Sequence, residues 1–219
     1  MKVLDLFSGI GGFSLGLERA GMETVAFCEI EPFPRAVLKH HWPEVPCYED
    51  VRTLTAARLA ADGINEIDVI CGGFPCQDLS LAGRMVGMDG TRSGLWSEIA
   101  RLIGELRPRY AIMENVANLL SGPAGRSGEW FGRVLGDLAS LGYDAEWHCI
   151  PAGNLGAPHE RDRVWIVAYP TAHNAKEGAY PAEYTRNTPT LAAVLGGKIN
   201  PAFSEQLMGF PLNHTDLKP

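Results

Sequence analysis

Cys76 is the first residue in this sequence that invites a chemical reading. It follows Phe74-Pro75 and a glycine pair, where the apolar run Asp68 to Cys71 breaks off. A thiol delivered by a buried strand into a proline turn stands at the edge of a sheet, within reach of a ligand. Cys71, inside the apolar run, has the setting of an inert core thiol. A lone cysteine is more often structural than reactive, and only the turn and the glycine-rich stretch behind it reverse that preference here. Glu114 closes another apolar run, Tyr110 to Met113; taken alone it is a solvated strand-end acid. Arg161 and Arg163 flank Asp162 just before Val164 to Ala168. Alternate residues of a strand face the same way, so both guanidinium groups can point into one site. Unaided, such a triplet reads as a surface salt-bridge cluster.

A second group of residues suggests a ligand rather than a reaction. Asp5 to Gly12 (Asp-Leu-Phe-Ser-Gly-Ile-Gly-Gly) runs from an apolar segment into a helical one. Glycines after a first strand let backbone approach a ligand at the carboxyl edge of an α/β sheet. A dinucleotide fingerprint needs a further glycine where Ser14 stands, so a pyrophosphate cradle is not indicated. Glu29 lies 20 residues after Gly9, where a carboxylate can accept hydrogen bonds from both ribose hydroxyls. The combination suits a nucleoside without a diphosphate, such as S-adenosylmethionine. The competing reading is a tight turn with no ligand. Asp50 could accept from an adenine amino group, or be a solvated loop acid.

These residues need a scaffold, and the chain's pattern describes one. Short β-rich runs at Val3 to Phe7, Thr24 to Glu29, Pro46 to Tyr48, Asp68 to Cys71, Tyr110 to Glu114, Asp144 to Cys149 and Val164 to Ala168 alternate with helical stretches. The helices are expected at Phe13 to Ala20, Phe33 to His40, Leu95 to Leu106 and Trp130 to Leu141, the last two with clear 3.6-residue apolar spacing. This is an α/β, Rossmann-like pattern with a mostly parallel central sheet and helices on both faces. From Tyr169 the texture changes to frequent prolines, so residues 1–168 are read as one catalytic domain and 169–219 as a loop-rich segment with one helix near Ala202 to Met208.

Composition sets the outer bounds. With 219 residues there is room for one α/β domain and a short appendage. Hydrophobic residues at 46% and charged residues at 21% exclude disorder and coiled coil. No stretch reaches the roughly 18–20 apolar residues of a membrane span, and Asp5 interrupts the N-terminus too early for a signal peptide, so a cytoplasmic protein is expected. The five cysteines are odd in number and lack a CxxC pair, which suggests neither disulfides nor a metal site. The net charge of −7 argues against a nucleic-acid partner, but it is uneven. Residues 1–100 carry 8 basic against 14 acidic residues, and residues 101–219 carry 11 against 12.

Taken in order, Asp5 to Gly12, Gly73-Phe74-Pro75-Cys76-Gln77-Asp78-Leu79-Ser80, Glu114-Asn115-Val116 and Arg161-Asp162-Arg163 resemble successive motifs of the cytosine-5 DNA methyltransferases. The resemblance covers about residues 3–168. The ending, Gly196 to Pro201 and Leu207 to Pro211, resembles that of bacteriophage and prophage members. What the resemblance implies is a DNA (cytosine-5-)-methyltransferase using S-adenosyl-L-methionine (AdoMet). Cys76 would add to carbon 6 of a flipped-out cytosine, and Glu114, protonated through a raised pKa, would donate to N3. Arg163 would contact O2, and Arg161 would help position the cysteine and the DNA backbone. The cofactor would meet Phe7, Ser8, Gly9, Gly11, Gly12, Glu29, Ile30, Asp50, Val51 and Pro75. DNA would meet Gln77, Ser80, Arg84, Arg92, Lys176 and Arg186, the stretch from Gln77 to Leu95 acting as a glycine-hinged lid. A monomer without metal, in a bacterial or phage-infected cell, completes the expectation.

The chain departs from the family pattern in four places. His159 stands where the family usually has glutamine, and Ile30 where many members place tryptophan. Only residues 169–195 separate the last core strand from the tail motif, leaving a small set (His173, Asn174, Lys176, Tyr184, Arg186 and Asn187) to read base edges. The family's last motif has no match, which implies a cofactor pocket open on one side. Three readings stand at this point: an active DNA enzyme of phage or prophage type, a catalytically weak AdoMet- or DNA-binding remnant, and an RNA cytosine-5 methyltransferase.

Overall fold

A computed structural model describes residues 1–75, 94–121 and 128–171. Its centre is a seven-stranded sheet in the order β3-β2-β1-β4-β5-β7-β6. The strands are β1 (Lys2–Leu6), β2 (Glu23–Cys28), β3 (Cys47–Tyr48), β4 (Val69–Gly73), β5 (Tyr110–Val116), β6 (Tyr143–Pro151) and β7 (Asp162–Pro170). The first five run parallel; β7 is antiparallel to β5 and β6 antiparallel to β7. The chain reverses its winding direction between β1 and β4, the switch point outside which ligands bind in open α/β sheets.

Both faces are covered, and β1 shows how. Successive side chains alternate between faces. Leu4 and Leu6 enter a core with Ile70, Ile99, Leu102, Ile103, Val134 and Leu138. Val3 joins Leu17, Val69, Cys71, Ile112, Trp165 and Val167 on the other side. The first face is closed by α3 (Ala56–Ala61), α4 (Leu95–Leu106) and α6 (Glu129–Ser140), the second by α1 (Gly12–Arg19). Each fully buried Leu or Ile contributes roughly 1.5–3 kcal/mol by leaving water. In α4, Ile99, Leu102 and Ile103 are buried as their spacing predicts, and Trp96 joins them with its indole N–H donated to Asp137 Oδ2 at 3.0 Å.

The remaining helices are α2 (Pro32–His41) and the single turn α5 (Asn118–Ser121). The four helices expected from periodicity are present within one or two residues. Periodicity missed α3, whose alanines bury only Leu59; its sequence signal is Thr55, whose hydroxyl caps the Arg58 N–H at 3.1 Å. It also missed α5 and the 3₁₀ turn Ala152–Leu155, both too short to show a period. Each strand differs from its expected bounds by one or two residues at one end or both, and two of these differences bear on the site. Strand β2 stops at Cys28, leaving Glu29 in the loop, and β7 begins at Asp162 and runs to Pro170, across the expected boundary at residue 168. The helix expected at 202–208 lies outside the described residues. Among the described residues no helix is long and apolar enough to cross a membrane.

Candidate active site

The carboxyl ends of β1, β2 and β4 surround a cavity of about 670 Å³, well within the size range of small-molecule sites. Phe7, Glu29, Ile30, Asp50, Val51 and Pro75 line it, six of the ten residues expected to meet a cofactor. Ile30 stands 58% exposed at its wall, where an apolar side chain can lie against a flat ring.

Glu29 is nearly buried, and its carboxylate is held from both ends. Oε2 accepts from the Gly9 N–H and Oε1 from the Glu31 N–H, each at 2.8 Å. A carboxylate can accept about four hydrogen bonds, so two acceptor positions remain for a ligand. Asp50 is differently placed. Arg52 grips it through Nε, Nη2 and its backbone N–H at 2.8–3.1 Å and lowers its pKa. A ligand amino group reaching Asp50 therefore shares it with a guanidinium.

Ser8, Gly9, Gly11 and Gly12 are not on the cavity wall. Ser8 is a buried cross-link: its hydroxyl donates to the Asp5 carbonyl at 2.7 Å and accepts from the Cys28 N–H at 3.2 Å. Gly9 adopts φ +52 and spends its N–H on Glu29. Gly11 corrects the expectation that the glycines make room for a ligand. It adopts φ +88, and a Cβ there would lie 2.5 Å from the Trp42 ring, so its bare backbone makes room for the protein's own tryptophan. Gly12 is the first residue of α1.

Sequence reasoning overlooked several wall residues: Cys28, Glu31, Glu49, Arg52, Gly94, Leu95 and Glu98. Glu98, in the first turn of an expected helix, could have been found from the proximity of that helix's start to the cysteine loop. It also overlooked Asp5 as a buried acid. By strand alternation Asp5 shares the face of Val3, where Ser14 of α1 donates to its Oδ2 at 2.7 Å. Burial pushes its carboxyl from an ordinary 3.8 up to about 7, with Ser14 and the Cys71 thiol pulling the other way.

The second part of the site lies at the end of β5. Glu114 pairs in register with Gly73 of β4, and its Oε1 meets Arg163 Nε of β7 at 2.6 Å. Burial raises its pKa, while Arg163 and then Arg161 hold it down. The raised direction is the one a proton donor needs. Arg163 lies in β7, but Arg161 precedes the strand and is exposed, so the two do not share a strand face as alternation suggested. Arg161 acts on Glu114 through its charge. His159 is exposed in the same loop.

Residues 73–75 join the two parts. Pro75 is on the cavity wall, the Phe74 carbonyl accepts from Asn115 Nδ2 at 2.8 Å, and Gly73 lies beside Glu114. Cys76 comes next in the sequence; it lies outside the described residues, as do Gln77, Ser80, Arg84, Arg92, Lys176 and Arg186. Burial raises the thiols of Cys28 (to about 12), Cys47 and Cys71, so none of these three is a thiolate near neutral pH. Among the described residues no three His, Cys, Asp or Glu side chains are grouped to hold a metal ion.

Known proteins are similar to this chain in sequence and fold. The family model described as C-5 cytosine-specific DNA methylase matches residues 1–214. Type II methyltransferase M2.BsuMI of Bacillus subtilis is 37% identical over 172 residues, 77% of this chain and 42% of that protein. Type II methyltransferase M.Eco47II of Escherichia coli is 38% identical over 168 residues, covering 76% and 39%. The chain thus spans less than half the length of these relatives. Among solved structures, an E. coli protein provisionally described as a prophage-encoded DNA modification methyltransferase superposes with a TM-score of 0.63 at 29% identity, over 78% of this chain and 47% of that one. The S. pombe Dnmt2 methyltransferase, at 21% identity, TM-score 0.62 and coverage of 80% and 53%, shares the fold.

Proposed function

Because this chain belongs to the C-5 cytosine-specific DNA methylase family, we propose that it is a DNA (cytosine-5-)-methyltransferase that takes its methyl group from AdoMet. The observation that carries the proposal is the shared sheet edge. A cavity with a fixed carboxylate, Glu29, and a half-sequestered acid with a raised pKa, Glu114, are joined by the three residues that precede Cys76.

The donor set fits AdoMet. Glu29 has two free acceptor positions for the ribose hydroxyls, and Phe7, Ile30, Val51 and Pro75 offer apolar walls to the adenine. When bound, AdoMet supplies an electrophilic methyl group. The protein's part is to make carbon 5 of cytosine nucleophilic. The Cys76 thiolate adds to carbon 6 as Glu114 delivers its proton to N3, so that the ring's electrons move toward carbon 5 without leaving a negative charge on N3. After methylation, transfer of the carbon 5 proton to water re-forms the 5,6 double bond and expels the thiolate, and the Glu114 carboxylate takes back the N3 proton. Arg163, already paired with Glu114, has its guanidinium beside the acid, where it can contact the base at O2. The target base must leave the helix stack for this chemistry to reach it.

Duplexes carrying 5-fluorocytosine test the proposal, because fluorine on carbon 5 cannot depart as a proton. With AdoMet, the protein should form a denaturation-resistant adduct that is absent from Cys76→Ser. No adduct on DNA or RNA would refute an enzyme and leave a binding remnant; an adduct on RNA alone would move the substrate class.

A further inference from the structure

Strand β4 ends in two glycines whose backbone angles do not require glycine: neither has a positive φ. Their surroundings do, for different reasons. Gly72 pairs with Leu6, and a Cβ on Gly72 would stand 2.5 Å from the Leu6 carbonyl oxygen. That neighbour is backbone in the middle of the sheet and cannot yield without opening the β1–β4 ladder. A Cβ on Gly73 would instead stand 2.9 Å from Glu114 Oε2, the far end of a flexible side chain. Gly72 therefore serves the fold, whereas the space at Gly73 is occupied by the acid.

The carboxylate is bounded on its other side as well. Oε1 is held by Arg163 Nε at 2.6 Å, so the group lies between a guanidinium from β7 and bare backbone from β4. Nor can the end of β4 easily recede to admit a methyl. Asn115, only 3% exposed, donates to the Phe74 carbonyl and accepts from the Val116 N–H, both at 2.8 Å, and so ties the chain one residue past the last β4–β5 pair. A methyl on residue 73 would push the carboxylate and leave the strands in place.

Resting on the reading of Glu114 as the proton donor, we infer that Gly73 is a positioning residue for that acid: the missing side chain at 73 sets where the carboxylate sits. Gly73→Ala should keep its AdoMet dissociation constant within about twofold and its thermal midpoint within a few degrees. Its single-turnover methylation rate should fall at least about tenfold, a fraction of the ~10²–10⁴ that a positioned acid or base contributes. Gly72→Ala should show the opposite pattern, a lowered midpoint.

A double-mutant cycle separates positioning from general damage. Aspartate is one methylene shorter and avoids the new methyl, so Glu114→Asp should cost at least about fivefold less rate in the Gly73→Ala background than in wild type. Multiplicative effects would overturn the inference. So would wild-type rates in Gly73→Ala alongside a slow Glu114→Gln, or a Gly73→Ala midpoint lowered as much as that of Gly72→Ala. A Glu114→Gln that is as fast as wild type would instead remove the proton-donor reading, and the inference with it.

Discussion

Replacing Asp5 with asparagine should reverse its effect on stability as pH rises. Asp5 is completely buried beneath the glycine loop, with Ser14 donating to Oδ2, the Cys71 thiol beside it and the Glu29 carboxylate adding repulsion. Its folded pKa of about 7, against 3.8 ordinarily, means that the folded state holds a proton which the unfolded chain has released. The stability this contributes is fully present below pH ~4 and is lost as pH rises toward ~7. At about 1.4 kcal/mol per unit of pKa the whole loss is roughly 4 kcal/mol, an upper bound, of which roughly 3 falls between pH 5 and pH 8. Asparagine does not titrate. Its carbonyl can accept from Ser14 Oγ, while its amide replaces Oδ1, which has no hydrogen-bond partner among the described residues. An unsatisfied buried donor costs about 1–3 kcal/mol. Asp5→Asn should therefore be less stable than wild type at pH 5 and equal or more stable at pH 8. In urea unfolding followed by circular dichroism, the difference should change by roughly 3 kcal/mol across that range. Parallel stability profiles for the two proteins would refute a buried, neutral-leaning Asp5.

Three other outcomes follow from the same geometry. Gly11→Ala places a Cβ 2.5 Å from the Trp42 ring at φ +88, so it should destabilise by about 2–4 kcal/mol, combining left-handed strain with overpacking; an unchanged thermal midpoint would contradict the packing argument. Glu29→Ala removes the acceptor that anchors the Gly9 and Glu31 N–H groups as well as the proposed ribose contacts, and should weaken AdoMet binding by about 10–100-fold in titration calorimetry, against an unchanged constant if Glu29 is only a loop anchor. In Arg163→Met the cation that lowers the Glu114 pKa is gone, so that pKa should rise, the acid should stay protonated to higher pH, and the falling high-pH limb of the methylation rate should move upward; a limb that stays put or moves down would show that Glu114 does not govern it.

Much of the site was legible because its signals are local. A cysteine behind Phe-Pro and a carboxylate 20 residues past a glycine loop are read from neighbours in the chain, whereas Glu114 read alone is a solvated acid and gained a role only through the motif resemblance. The readings that changed depended on how side chains and backbone settle in three dimensions, whether the partner is distant or near in sequence. Gly11 looked like ligand space until Trp42, 31 residues on, occupied it. Asp50 looked available until Arg52 closed on it, an interaction the sequence permits but does not demand. Arg161 was paired with Arg163 by alternation, which holds only within a strand; β7 begins at Asp162 and leaves Arg161 outside it, and helix α3 escaped because six alanine-rich residues show little periodicity.

The sequence by itself determined the fold class, the order of the motifs and the side chains available for chemistry. Each of these rests on periodicity or on spacing along one chain. Tertiary structure decided what those side chains experience. The pKa of Asp5 is raised because α1 covers it, that of Glu114 is a balance between burial and Arg163 from a strand running the other way, and Gly73 matters because β4 and β5 bring it against an acid 41 residues distant. Desolvation, charge and steric room are fixed by neighbours in space, and the sheet order supplies those neighbours.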